Sequence, residues 1–291
     1  MNFSQPTEQV ESNFPKKEVF LGKVAYRVIA VNPNKEQLKA INQYVPDEEP
    51  VYTGKREING QEFNLANVTV YLQNVSNNDI VDRVTYSVID NVQLSATNKL
   101  AAINKYGNDA WIEESHINAK TLPSNMEWFL NEGIKPAKRG EKELVRFIRA
   151  LRNFKTISNK STQEEKDAYV SLFEEADLQK LFKGDFSDIR SILMANPESK
   201  VGFLLGARTT DEGKVYQDMY KEYPLRSYMI NNDKSDEYLI KDVISSQENS
   251  KYANTYFDVN DTKYKKYDVE LALKPSVMSA GMDGEGDDLP F

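Results

Sequence analysis

The chain contains no cysteine and a single histidine, His116. The first absence removes disulfides, thiolate nucleophiles and every Cys-based zinc site. The second removes most of what is left of metal binding and general-base catalysis, because one imidazole without a serine-nucleophile motif nearby is more simply a surface or packed residue. Phosphate-cradling Gly-x-x-x-x-Gly-Lys-(Ser/Thr) loops, Gly-x-Gly-x-x-Gly turns and Gly-x-Ser-x-Gly elbows are missing as well. Carboxylate pairs such as Glu48-Glu49, Glu113-Glu114 and Glu174-Glu175 lie in polar surroundings. A Mg²⁺-dependent nuclease would need several of them to converge, and nothing in the pattern favours it. No apolar run approaches the ~20 residues that span a bilayer, and Met1 to Pro15 is polar without a secretory pattern. The expectation is a cytoplasmic protein without membrane contact, enzymatic activity, cofactor or metal.

What is there is ordinary in bulk and uneven in placement. At 291 residues, 40% hydrophobic and 28% charged, the chain has material for one large or two modest domains with real cores. Its net charge of −8 argues at first against nucleic acid as a partner. The distribution weakens that objection. Asp283, Glu285, Asp287 and Asp288 contribute −4 with no compensation, and Ile134 to Lys160 carries nine basic residues against Glu141 and Glu143, a local excess of seven.

Along the chain, residues 1–15 read as a flexible arm. Val19 to Val31 reads as a long strand with Lys23 and Arg27 on one parity. Asn34 and Gln37 form a capping box for a helix over Lys35 to Tyr44, stopping before Pro46. Leu65–Val75 alternates cleanly and makes a hairpin with Val81–Ser95 across Asn77-Asn78-Asp79. Asn104 to Ile112 places a Gly-Asn turn between aromatic residues and closes a further hairpin. Helical spacing then takes over. Leu144, Phe147, Ile148 and Leu151 share one side of Glu141 to Arg152, with Lys142, Arg146, Arg149 and Arg152 on another. Thr162 and Glu165 cap a second helix carrying Ala168, Leu172, Phe173 and Leu181, and a third runs from Asp185 to Pro197. Strands return at Lys200–Arg208 and Lys214–Tyr220, with Leu225–Ile230 extending the sheet, a helix at Glu237–Gln247 and a last strand at Asp268–Leu273. Short strands joined by turns point to a closed or partly closed barrel. The fold class expected is mainly β with an α insertion (α+β): a β domain over 16–275, elaborated by a helical unit at about 140–196 and followed by an acidic tail over 276–291.

Four groups of residues carry cations, two of them interleaved with aromatic rings. The second hairpin and its surroundings carry Arg208, Lys214, Tyr216, Tyr220, Lys221, Tyr223, Arg226 and Tyr228. The helix near residue 146 carries Lys142, Arg146, Arg149 and Arg152, backed by Lys138 and Arg139. Tyr106 and Trp111 stand beside Lys105, and Lys23 and Arg27 add a further basic pair. Aromatic faces stack bases and basic side chains hold phosphates, which is how single-stranded nucleic acid is gripped without sequence preference. The competing role for each tyrosine is packing at the barrel rim.

The last nine residues, Asp283 to Phe291, join four carboxylates and two glycines to Leu289-Pro290-Phe291. Such a segment does not pack into a core. Its end offers an aromatic anchor, a stiff joint and an α-carboxylate, suited to capture by a small basic pocket on another protein. Asp287-Asp288-Leu289-Pro290-Phe291 resembles the acidic tip of bacterial and bacteriophage single-stranded-DNA-binding proteins, which ends in Asp-Asp-(Ile/Leu)-Pro-Phe. The stretches Phe20–Leu38, Lys105–Ile112 and Thr210–Tyr220 are similar to the single-stranded-DNA-binding proteins of large tailed bacteriophages. That resemblance implies an OB fold, no cofactor, and coating of single-stranded DNA during phage replication, recombination and repair in the host cytoplasm. Replication or recombination proteins would be recruited through the tip, which could also compete with DNA for the basic surface. A structural or adaptor protein of a virion, using the tail as a docking peptide, accounts equally for the tail and for the missing enzyme motifs.

Overall fold

In the computed structural model, the described residues are 18–117, 119, 121–126, 128–167, 175–231, 236–249, 251–260 and 265–267. The expected strand at Asp268–Leu273 and the acidic tail lie outside them, as do Ala168, Leu172 and Phe173.

Alternation builds the sheet. Strand β1 (Phe20–Val31) is followed by helix α1 (Lys35–Ala40). Both halves of the expected capping box are made: Asn34 Oδ1 accepts from the Gln37 amide at 2.8 Å, and Gln37 Oε1 accepts from the Asn34 amide at 3.0 Å. Strands β2 (Thr53–Ile58) and β3 (Gln61–Asn74) meet at Asn59 and Gly60, whose φ values of 52° and 76° give the turn that matches strand twist. β3 then pairs with β4 (Val81–Val92), and Asn74 Oδ1 collects the amides of Ser76 and Asn77 to hold the connection. A small sheet follows, β5 (Leu100–Ile103), β6 (Asp109–Ile112) and β7 (Lys135–Pro136), in the order β6-β5-β7. After β8 (Lys138–Arg139) come helices α2 (Glu141–Leu151), α3 (Gln163–Asp167), α4 (Glu175–Phe182) and α5 (Ser187–Met194). The chain returns through β9 (Val201–Thr209), β10 (Val215–Arg226), α6 (Asp236–Glu248), β11 (Thr255–Phe257) and β12 (Lys265–Lys266).

The main sheet runs β10-β9-β1-β3-β4-β8, antiparallel throughout, with β2 added to β3, β11 to β9 and β12 to β1. It curls into a half-barrel, with more strand than helix in the whole. Val24 and Tyr26 of β1, Val68, Val70 and Leu72 of β3, Val84, Tyr86 and Val88 of β4, and Phe203 and Leu205 of β9 form one core with Leu144, Phe147, Ile148 and Leu151 of α2. Leu178 and Leu181 of α4 and Ile189 and Leu193 of α5 join the same core. Phe147 lies between two strands: its ring stacks on Tyr86 at 5.1 Å and on Phe203 at 6.0 Å. α2 therefore fills the curl from inside. The opposite face of β9 and β10 is also covered, because Leu204, Tyr220 and Leu225 pack with Leu239 and Val243 of α6 and with Tyr252 and Phe257.

Where the sheet ends approach, side chains replace a ladder. Lys221 Nζ on β10 donates to the Thr85 carbonyl on β4 at 2.7 Å and lies 5.8 Å from the Tyr86 ring. Gly140, at the N-cap of α2 with φ 83°, brings the helix start onto β4 so closely that an added Cβ would stand 1.9 Å from the Ser87 carbonyl oxygen.

Candidate nucleic-acid interface

The helix expected to present an open basic stripe is seated in the curl, and this decides what its cations do. Asp109, the first residue of β6, accepts from Arg146 Nε at 2.8 Å and from Arg146 Nη2 at 2.6 Å, and Lys142 Nζ stands 3.6 Å from it. Arg149 donates to the Gly107 carbonyl at 2.9 Å and to the Lys155 carbonyl at 3.2 Å, and Asn108 Nδ2 donates to the Ile157 carbonyl at 2.6 Å. The turn between β5 and β6 thus clamps α2.

The electrostatics are unequal across this clamp. Burial pushes the Asp109 carboxyl up, but the Arg146 charge and hydrogen bonds, with Lys142 behind them, outweigh it and hold the group below the usual carboxylate range. Burial likewise disfavours the Arg146 charge and Asp109 more than restores it. Lys142 differs: burial holds its ammonium below the usual lysine range, and Asp109 only partly compensates. The fork of Arg146 is therefore the main counter-charge. Lys142 has a second partner in Trp111, whose ring centroid is 4.1 Å from Nζ while the indole remains 38% exposed.

Opposite α2, β10 departs from regular pairing. Tyr220 faces Leu204 and Leu225 faces Gly202, so Lys221 to Pro224 are pushed out of register as a bulge, which re-aims side chains. Between this bulge and α2 lies a cleft of about 270 Å³ lined by Asp109, Arg146, Arg149, Tyr223, Arg226 and Asp242, among others. Tyr223 is half-buried there, with its phenol pushed up by burial. Arg226 Nη1 reaches Tyr228 Oη at 3.4 Å and Met229 Sδ at 3.9 Å, both long contacts. Its Nε is buried without a hydrogen-bond partner, and it forms no ion pair among the described residues. The cleft carboxylates are held from the side: Glu222 by Tyr252 Oη at 2.6 Å and by Lys251, and Asp242 by Tyr220 Oη at 2.7 Å.

Of the residues singled out in the sequence, this rim brings together Trp111, Lys142, Arg146, Arg149, Tyr223, Arg226 and Tyr228, from three separate segments, with Lys221 at the neighbouring seam. Several others are elsewhere or internal. Lys23 is buried, because the β1 face that it shares with Arg27 is not an open surface, and Arg27 pairs with Glu198 at 3.3 Å. Tyr106 is buried and donates to Glu132 at 2.9 Å, and Tyr220 is buried under α6. Lys142 and Arg149 also lose their expected place on an exposed stripe, since the polar side of α2 meets the β5–β6 turn and β10 rather than solvent. Lys138 pairs with Asp90 at 3.0 Å, while Arg139 and Arg152 are exposed, the latter 5.7 Å over Phe154. Arg208, Lys214 and Tyr216 form a second exposed group at the far end of the β9–β10 hairpin, Arg208 lying 5.9 Å over its cross-strand partner Tyr216. The tip residues Asp287, Asp288, Leu289, Pro290 and Phe291 lie outside the described residues.

Sequence reasoning passed over Asp109 and Asp242, which carry no motif and gain meaning only from what faces them. It also passed over a second cleft of about 310 Å³, where Tyr52 and Phe186 stand beside Arg190, which donates to the Val31 and Asn32 carbonyls. Burial pushes the Tyr52 phenol up to about 12. No helix among the described residues is long and apolar enough to cross a membrane, and none of their His, Asp and Glu side chains group as a metal site. No family model, curated protein or solved structure matches the chain.

Proposed function

We propose that this protein binds single-stranded DNA along the rim where α2, β6 and the β10 bulge meet, and that it acts without catalysis or cofactor. The observation that carries the reading is the convergence itself. An exposed indole backed by a lysine, an arginine fork, a half-buried tyrosine and an arginine without an ion pair among the described residues come from three distant segments to one edge of the sheet. Rings for bases beside cations for phosphates are the parts such binding uses. The exposed Arg208–Tyr216 pair supplies a second contact of the same kind.

In this reading the curled antiparallel sheet is an OB-like barrel elaborated by helices, and the strand follows its rim. The role is coating of DNA during phage replication and recombination, with Asp287 to Phe291 recruiting partner proteins. The test is fluorescence anisotropy with labelled oligo(dT) and with duplex DNA over a salt series. Preferential binding to the single strand that weakens as salt rises is expected. Equal binding to both, or none, overturns the reading and leaves an assembly or adaptor role. Removing residues 283–291 is expected to tighten binding at low salt and to abolish partner recruitment, and unchanged affinity across the salt series refutes competition by the tail.

A further inference from the structure

The rim cleft is too small for a run of stacked bases and is lined by three guanidinium groups. Resting on the DNA-binding reading, we infer that it holds a single nucleotide bearing a terminal phosphate monoester. The arginines are Arg146, Arg149 and Arg226. The lining itself is balanced, three arginines against Asp109, Glu222 and Asp242, and Lys142 and Lys251 add positive charge from behind Asp109 and Glu222. Across the adjoining seam Lys221 interacts with Glu143 and Asp218. A phosphodiester brings one negative charge, whereas a phosphate monoester brings roughly −1.5 to −2 at neutral pH and gains the more from three guanidinium groups.

Geometry agrees with charge. Asp109 occupies two of the donors of Arg146, and the carboxylates Glu222 and Asp242 are bonded from the Tyr252 and Tyr220 side. Among the described residues Arg226 makes only long contacts, through Nη1, and forms no ion pair, so its guanidinium is the least committed of the three. Guanidinium forks suit phosphate oxygens in particular. Tyr223, Pro224 and Met229 supply a ring and apolar surface on the same wall for the nucleoside. A volume of about 270 Å³ lies just below the usual range of ligand sites, with room for one nucleotide but not for a stacked run of bases.

Such a nucleotide is either a strand end or a free mononucleotide. Isothermal titration of the full chain with dTMP, thymidine and inorganic phosphate, alongside oligo(dT) carrying a 5′-phosphate, a 3′-phosphate or neither, separates these. Expected is binding of dTMP with thymidine and phosphate each about tenfold or more weaker. Preference for a phosphorylated oligonucleotide end identifies the strand end as the source, while dTMP binding without end preference identifies the free nucleotide. Arg226→Gln is expected to remove the advantage of dTMP over thymidine. Thr156→Trp, placed on an exposed stretch of the cleft wall and leaving every charge intact, is expected to block dTMP by filling the space. Oligo(dT) binding with neither dTMP binding nor end preference overturns the inference and leaves the DNA-binding reading standing. dTMP binding without oligo(dT) binding does the reverse. Thymidine or phosphate binding as tightly as dTMP, or full dTMP affinity in both variants, also overturns it.

Discussion

Replacing Asp109 by Asn tests whether the ion pair at the rim anchors α2 in the curl. The side chain of Asp109 is 10% exposed and that of Arg146 35%, with two short hydrogen bonds between them. Removing one partner of a buried pair costs ~3–5 kcal/mol, mostly from the charge left behind. Arg146 is partly solvated, which screens its stranded charge, so about 3 kcal/mol is the appropriate figure. For a chain of this size that corresponds to a fall in melting temperature of roughly 6–12 °C. Urea unfolding followed by tryptophan emission reads the loss, and Trp111, seated on Lys142, lies beside the perturbed site. The double variant Asp109→Asn, Arg146→Met removes both charges and should recover most of the stability. The pH dependence has a defined sign. The folded pKa of Asp109 lies below its unfolded value, so its contribution is present above the unfolded value and is lost as pH falls through the folded one. The Asn variant should lack that acid-side decline. A single variant within ~0.5 kcal/mol of the parent would refute the anchoring role.

Trp111→Ala should weaken oligo(dT) binding by ~1–3 kcal/mol if the indole stacks on a base. A Trp128→Phe background leaves Trp111 as the only indole, so its quenching by oligo(dT) reports the contact directly. Gly140→Ala should cost about 3 kcal/mol or more, because its φ of 83° and the Ser87 carbonyl at 1.9 Å from an added Cβ leave no room; wild-type melting would refute this packing. Lys142→Met should leave stability at neutral pH unchanged or raise it by about 1 kcal/mol, since burial disfavours the ammonium. The folded pKa of Lys142 is below its unfolded value, so the parent should gain stability relative to this variant as pH climbs through the folded pKa, a trend measurable by denaturation at alkaline pH.

Local rules made much of the scaffold legible. The capping box at Asn34 and Gln37, the alternation of Val68, Val70 and Leu72, and the spacing of Leu144, Phe147, Ile148 and Leu151 each specify an element from neighbours a few residues away. β2 left no such trace, as Thr53–Ile58 is exposed and takes its order from pairing with β3. The basic side of α2 was legible as a side but not in its surroundings. A 3.6-residue period separates Arg146 from Phe147, yet says nothing of the carboxylate that meets it 37 residues away in sequence. Tyr220 and Tyr223 show the same limit. Both sit in one strand, and a bulge together with α6 determines that the first is buried and the second faces the cleft.

The side-chain bridge from Lys221 to Thr85 has a mechanical consequence. β1, β3 and β9 each have a neighbour on both edges, so their amides are released only when the ladders on either side come apart. The facing edges of β4 and β10 are held by this bridge and by α2, including the bond from Arg146 to the Glu222 carbonyl. Parting them breaks side-chain bonds and the packing of α2 on one wall, but no backbone ladder. The half-barrel can therefore gape along one line while its ladders stay shut, and hydrogen exchange should record that line as fast amides only on the seam-facing edges of β4 and β10, beside slow ones on β1 and β9.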